Sequence, residues 1–295
     1  MTGRPLAHHR LDGPENAPPL ILGPSLGTST AVWEPQTARL ARTHRVLRWD
    51  LPGHGGSPAD VLPSWDAPGT TTVAELAGLV LDLADHHGWT RFAYAGISLG
   101  GAIGAHLAAH HPERVGALAL VCSSARFGEP DAWRERARLV RERGTGAVLD
   151  ATPGRWFADP AAAAASRHGA AVLADLAAAD RNGYAACCDA LAGYDLRPRL
   201  GGIGAPTLVV AGRDDPATPP AHARELADGI PGADLLELAH AAHLAGLDRP
   251  AALGAALSAH FGAGAAHPRD PAGPGTARPR PRSPRSARSD TPEDS

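Results

Sequence analysis

Phe92-Ala-Tyr-Ala-Gly96-Ile97-Ser98-Leu99-Gly100-Gly101 is the stretch on which the fold turns. An apolar run of strand length leads straight into Gly-x-Ser-x-Gly, and residues 99–110 continue with helical patterning. A chain that passes from strand to helix through so short a turn must reverse sharply. The reversal lifts the Ser98 hydroxyl clear of the sheet edge, and the flanking glycines remove side chains that would collide there. The N–H of Leu99 then points at an oxygen that gains negative charge during acyl transfer. Ser98 therefore reads as a nucleophile; the plainer alternative is an N-cap serine on a buried helix.

On either side of this stretch, the runs 19–23, 45–50, 117–122, 206–212 and 233–238 read as further strands beside 92–96. Segments 72–87, 99–110, 220–229 and 250–261 read as helices between them. Strand–helix alternation predicts an α/β fold with a mostly parallel, doubly wound sheet covered on both faces. Residues 8–20 are expected to add an antiparallel hairpin at the sheet edge. No strand is visible over 126–199, which is Ala- and Arg-rich and holds Trp133 and Trp156. Too long for a loop, it reads as a helical lid inserted after the sixth strand. The core is then 1–125 with 200–261. Residues 262–295 carry seven Pro, four Gly and six Arg against four acids, and read as a disordered tail.

Composition removes several chemistries. All 28 basic residues are Arg, so a lysine Schiff base and a Walker A phosphate loop are excluded. A formal charge of −3 gives no reason to expect nucleic acid or an anionic membrane as partner. Three Cys (Cys122, Cys187 and Cys188) are too few for a disulfide framework or a thiolate zinc site, and the latter two read as small buried apolar groups. The uncharged stretch 92–112 is long enough to span a bilayer but is broken by glycines and holds three His, so it is not read as transmembrane. No signal-peptide pattern precedes it, and the expected location is the cytoplasm.

A nucleophilic serine needs a base and a carboxylate to orient it. Gly212-Arg-Asp214-Asp215-Pro-Ala-Thr218-Pro follows a strand; Asp215, held against a Pro-rich turn, is the preferred acid over Asp214. In Leu238-Ala-His240-Ala-Ala-His243-Leu both His240 and His243 are candidate bases. No cluster of carboxylates or thiols accompanies them, so no metal is expected. The loop Gly23-Pro-Ser25-Leu26-Gly27-Thr28 brings small residues to an early strand end, and the amides of Leu26 and Leu99 are the candidate oxyanion donors. His54, in Asp50-Leu-Pro-Gly-His-Gly-Gly-Ser57, reads as the anchor of a tight turn. The pairs His8-His9, His86-His87 and His110-His111 read as surface or helix-end residues.

Asp50-Leu-Pro-Gly-His-Gly-Gly-Ser57 together with Gly96-Ile-Ser-Leu-Gly100 resembles the α/β-hydrolase superfamily, over nearly all of 1–261. Trp33-Glu-Pro-Gln36, Arg155-Trp-Phe157, Gly183-Tyr-Ala-Ala-Cys-Cys-Asp-Ala190 and Ala242-His243-Leu244 look more narrowly like 3-oxoadipate enol-lactonases. Where many relatives carry His-Gly before the oxyanion residue, this chain has Pro24-Ser25. The resemblance implies the order Ser98, Asp215, His243 for the triad, and favours His243 over His240. It implies a cofactor-free opening of a lactone whose side chain bears a carboxylate. Arg126, Arg134 and Arg155 are candidates to bind that group, with Trp133 and Trp156 lining the pocket. A general carboxylesterase or a C–C bond hydrolase would use the same three residues. A dehalogenase or epoxide hydrolase would need Asp at position 98. A non-catalytic receptor on the same frame is the reading from another class.

Overall fold

Leu20, Ile21 and Leu22 follow one another and are all fully buried, which a strand achieves only when both faces of its sheet are covered. The structure, a computed structural model, describes residues 5–265. Its strands are β1 (His9–Asp12), β2 (Pro19–Gly23), β3 (Arg45–Trp49), β4 (Phe92–Ile97), β5 (Val115–Val121), β6 (Thr207–Gly212) and β7 (Asp234–Leu238). They form one seven-stranded sheet in the order β1-β3-β2-β4-β5-β6-β7, with only β1 antiparallel to its neighbour.

The helices are α1 (Glu34–Leu40), α2 (Val73–His86), α3 (Leu99–His110), α4 (Pro130–Arg143), α5 (Gly146–Leu149), α6 (Pro153–Trp156), α7 (Pro160–Ala165), α8 (Arg167–Ala178), α9 (Arg181–Ala192), α10 (Pro220–Gly229), α11 (Ala245–Asp248) and α12 (Pro250–Ala265). α2 starts on a capping box: Thr72 Oγ1 accepts from the Glu75 N–H while the Glu75 carboxylate accepts from the Thr72 N–H. α3 is buried along nearly its whole length. Its glycines allow this, since a Cβ at Gly100 would lie 2.4 Å from the Gly23 carbonyl and one at Gly104 would lie 2.5 Å from the Tyr94 ring.

Three expectations are corrected. Residues 8–20 do not form a hairpin: β1 pairs with β3, His9 opposite Trp49, and not with β2. Pro14, Pro18 and Pro19 have no N–H to give a ladder, so the intervening segment stays a turn. With one strand fewer at the start, the helical insertion follows the fifth strand of the described residues, not the sixth. The last helix runs past position 262 to Ala265; the rest of the expected tail lies outside the described residues.

The strand order carries the functional consequence. The chain runs from β2 outward to β3, then returns to place β4 on the other side of β2. The crevice at such a reversal opens at the carboxyl ends of the strands. Gly23 and Gly96 are paired there, so the loops after β2 and β4 emerge side by side.

Candidate active site

Ser98 sits between β4 and α3 at φ +56° and ψ −115°, a conformation that L side chains rarely adopt. The turn tolerates no bulk on either side: a Cβ at Gly96 would lie 2.2 Å from the Gly100 carbonyl. The backbone groups of Ser98 are all engaged. Its N–H donates to the Val121 carbonyl at 2.9 Å, and its carbonyl accepts from Ala102 N at 3.0 Å and Ser123 Oγ at 2.8 Å. In a trans peptide the N–H points opposite its C=O. Fixing the Ser98 carbonyl therefore turns the Leu99 N–H the other way, and among the described residues no protein atom accepts from it.

The loop after β2 repeats the device. Ser25 C=O accepts from Thr28 N at 3.1 Å and from Thr28 Oγ1 at 2.8 Å. Gly27 takes φ +84°, the position a type II turn reserves for glycine. The N–H of Leu26, opposite the anchored Ser25 carbonyl, is likewise without an acceptor among the described residues. The loops after β2 and β4, which emerge side by side, thus each present an N–H without a protein acceptor, at Leu26 and at Leu99, and donors of this kind can receive a developing oxyanion.

Asp215 lies just past β6 and His243 in the loop after β7. The carboxylate is fully buried and all its acceptor capacity is directed. Oδ1 accepts from Ala217 N at 2.7 Å and Thr218 N at 3.0 Å; Oδ2 accepts from Thr218 Oγ1 at 2.7 Å and His243 Nδ1 at 2.9 Å. Burial alone would raise the carboxyl pKa; the His243 charge, with hydrogen bonds from His243 and Thr218, outweighs burial and holds it below the ordinary value. Thr218 Oγ1 also lies 3.3 Å from His243 Nδ1 and so braces both partners. The bond from Nδ1 to Asp215 leaves Nε2 to face the pocket that His243 shares with Ser98. No hydrogen bond joins Ser98 to His243 among the described residues; such contacts are commonly long before substrate enters.

The rival residues lie elsewhere. Asp214 is exposed, and with His240 it lines a separate depression beside Asp159 and Asp248. The structure thus joins Asp215, not Asp214, to His243.

Above Ser98 the pocket is closed by the helical insertion, through Phe127, Trp133, Arg136, Arg155, Trp156 and Tyr184. Trp133, Arg155 and Trp156 of the sequence-derived candidates line it. Arg134 does not: it is exposed and paired with Asp131 at 2.7 Å. Arg126 pairs with Glu129 at 3.1 Å. The pocket guanidinium on α4 is Arg136, whose Nε and Nη2 donate to Tyr184 Oη at 3.0 and 2.6 Å. Helical spacing explains the exchange, because Arg136 stands three residues from Trp133 on one face while Arg134 is turned about 100° away. That signal was present in the sequence. Burial lowers the pKa of Arg155, and the nearby Arg136 charge lowers it further. Among the described residues neither Arg136 nor Arg155 has a carboxylate partner. Two guanidiniums without a carboxylate partner in the pocket of Ser98 can receive an anionic group.

The insertion is fastened to the loops that it covers. Leu244 N donates to the Trp156 carbonyl at 2.8 Å, and Asp248 Oδ2 accepts from Ala242 N at 2.8 Å and Ala158 N at 3.2 Å. Of the paired histidines, His8 bonds Asp50 at 2.6 Å and His87 Nε2 meets His9 Nε2 at 3.0 Å, so these are not free surface groups. Cys187 and Cys188 are buried. No helix of the described residues is long and apolar enough to cross a membrane.

Comparison with known proteins adds to this geometry. A family model for the alpha/beta hydrolase fold matches residues 18–250. 3-Oxoadipate enol-lactonase 2 of Acinetobacter baylyi is 35% identical over 247 residues, covering 84% of this chain and 90% of that protein. A Variovorax paradoxus relative that carries the name carbamate hydrolase RutD is 33% identical over 250 residues, covering 80% and 88%. The crystal structure of the enol-lactonase from Burkholderia xenovorans LB400 superposes with a TM-score of 0.80 at 37% identity, covering 86% of this chain and 96% of that one.

Proposed function

The chain belongs to the alpha/beta hydrolase family, and from that premise we propose that it is a serine hydrolase opening an enol-lactone that bears a carboxylate, 3-oxoadipate enol-lactone being the best candidate. It is a hydrolase by family; the substrate and the roles of the residues are the proposal. The observation that carries the substrate class is that Arg136 and Arg155, in the pocket of Ser98, have no carboxylate partner among the described residues. The enol-lactonases of Acinetobacter and Burkholderia support the same reading.

The reaction needs few parts. His243 takes the Ser98 proton as Oγ attacks the lactone carbonyl carbon. The Leu26 and Leu99 N–H groups receive the developing oxyanion. The intermediate collapses, the ring C–O bond breaks, and the enolate leaves with the proton from His243. The enol so formed becomes the 3-keto group. Water, deprotonated by His243, then attacks the acyl-enzyme and releases Ser98 and a free carboxylate. Asp215 holds the Nδ1–H tautomer and stabilises the imidazolium. Arg136 and Arg155 hold the side-chain carboxylate.

A hydrolysis panel tests the reading: the enol-lactone, a neutral aryl ester of similar size, and an N-substituted carbamate. The expected result is a kcat/KM for the lactone at least tenfold above the neutral ester. Cleavage of the carbamate to its amine and carbon dioxide, faster than lactone opening, would replace the proposal with the activity that the Variovorax relative's name describes.

A further inference from the structure

His54 is a buried titratable group that the reaction does not use. It is 1% exposed, it does not line the pocket, and both ring nitrogens are occupied. Nδ1–H donates to the Pro52 carbonyl at 2.8 Å, which fixes the tautomer and leaves the Nε2 lone pair outward. That lone pair accepts the Gly27 N–H at 3.1 Å. Burial lowers the pKa of the ring, against the raising influence of the Pro52 carbonyl and the Asp50 and Asp180 carboxylates, so the lone pair persists at neutral pH. Gly27 belongs to the turn that aims the Leu26 N–H, one peptide upstream.

We propose that His54 is a positioning residue for the oxyanion donor at Leu26, and that it ties this donor to the part of the insertion that carries Arg136. The inference rests on the serine hydrolase reading above. Within the loop the Ser25–Leu26 peptide is held only through Thr28, across the Leu26–Gly27 peptide, so that hold depends on the intervening peptide keeping its orientation. The next peptide, Leu26–Gly27, is held from outside the loop by His54, and without that acceptor it can rotate about Leu26 ψ and Gly27 φ. The other face of the link is equally built. The His54 ring stacks on Tyr184 with centroids 5.9 Å apart and planes 24° apart, and Tyr184 Oη accepts both donors of Arg136. Asp180 N donates to the Gly53 carbonyl at 2.8 Å, and a Cβ at Gly183 would lie 2.5 Å from the Pro52 carbonyl, so the start of α9 is seated on the His54 turn. Substrate gripped by Arg136 and carbonyl oxygen held by Leu26 are thereby referred to one rigid support.

Three variants separate the acceptor from mere bulk. His54→Gln carries an amide oxygen as far out as Nε2; His54→Asn stops one bond short; His54→Phe keeps the ring on Tyr184 but accepts nothing. The assay follows hydrolysis of a neutral aryl ester, inhibition by phenylboronic acid, which forms a tetrahedral anion on serine, and competition by adipate, which needs only the pocket. The expected result is a kcat loss of about tenfold or more in His54→Phe and His54→Asn, below the roughly 10²–10³ for outright loss of an oxyanion donor. Phenylboronic acid affinity should fall in step, while KM and adipate inhibition stay within about threefold, and His54→Gln should stay within about fivefold of the parent. If His54→Phe fails to fold in a thermal melt, the Gln and Asn pair carries the comparison. Parent-like kcat and boronate affinity in folded His54→Phe or His54→Asn would overturn the inference, as would a His54→Gln loss equal to theirs. If the unmodified protein neither cleaves the ester nor is labelled at Ser98 by a fluorophosphonate, the hydrolase reading fails first and this one falls with it.

Discussion

Replacing Asp215 by Asn tests the proton relay, and the hydrogen bonds predict its outcome in detail. Oδ1 faces two backbone donors, Ala217 N and Thr218 N, at 2.7 and 3.0 Å. An amide NH2 in that position would leave both buried N–H groups unpaired, at about 1–3 kcal/mol each. The Asn oxygen must therefore stay there, and the NH2 falls where Oδ2 now meets His243 Nδ1 at 2.9 Å. A donor at that point obliges Nδ1 to accept, which moves the ring proton to Nε2. Nε2 can then no longer take the Ser98 proton. The wrong tautomer in an otherwise intact triad costs about 10⁴ in kcat, or about 5.4 kcal/mol at 1.36 kcal/mol per decade. Stability changes little, because the two backbone donors keep their acceptor. Asp215→Ala instead strips them and should lose roughly 2–6 kcal/mol of unfolding free energy. Asp214→Asn, on an exposed side chain, is the control and should stay within about threefold in kcat, as surface changes usually do. Steady-state hydrolysis and urea denaturation of the three variants decide the matter. An Asp215→Asn kcat within tenfold of the parent, or equal losses at 214 and 215, refutes the reasoning.

Ser98→Ala should abolish turnover and fold normally, while Ser98→Gly should be about 1 kcal/mol more stable than Ser98→Ala in urea, because glycine relieves a left-handed strain of about 1–3 kcal/mol and gives back part of it through the unfolded chain. Arg136→Met and Arg155→Met should each raise KM for the carboxylate-bearing lactone about 10- to 100-fold with little change for a neutral ester, whereas Arg134→Met should leave both unchanged; these are checked by parallel titrations of the two substrates. Asp248→Ala should lose about 2 kcal/mol of stability and slow turnover, because the Ala242 and Ala158 N–H groups lose their shared acceptor, while Asp248→Asn keeps it. The pH dependences of the two carboxylates run oppositely. Burial, chiefly, raises the Asp248 pKa, so its ionisation costs stability at neutral pH and that cost is relieved as pH falls through its folded pKa; Asp248→Asn should remove this dependence. The Asp215 pKa is lowered, so its contribution is complete above about pH 4 and is lost as pH falls through the folded value; denaturation curves from pH 3 to 8 distinguish the signs.

Much of this molecule is legible without coordinates, for a local reason. Runs such as 19–23 and 92–96 have to be strands because consecutive apolar side chains need two covered faces, and Gly96, Ser98 and Gly100 mark a sharp turn because only that spacing clears the backbone around it. These are properties of neighbours in the chain. The prolines at 14, 18 and 19 argue against a hairpin over 8–20, but that β1 pairs with β3 instead depends on a strand more than thirty residues away. Arg136, not Arg134, reaches the pocket, as helical spacing from the candidate Trp133 allows; that Trp133 itself looks at Ser98 is settled only by the fold. The Pro-rich turn already favours Asp215 over Asp214 in the sequence, but only the folded chain brings it to His243, lets Thr218 brace both, and uses Thr28 and Ser123 to turn two N–H groups outward by holding the carbonyls behind them. Each of those contacts depends on where a side chain points at the end of a strand. Propensity and periodicity are blind to that direction, since it is set by the twist and register of the whole sheet.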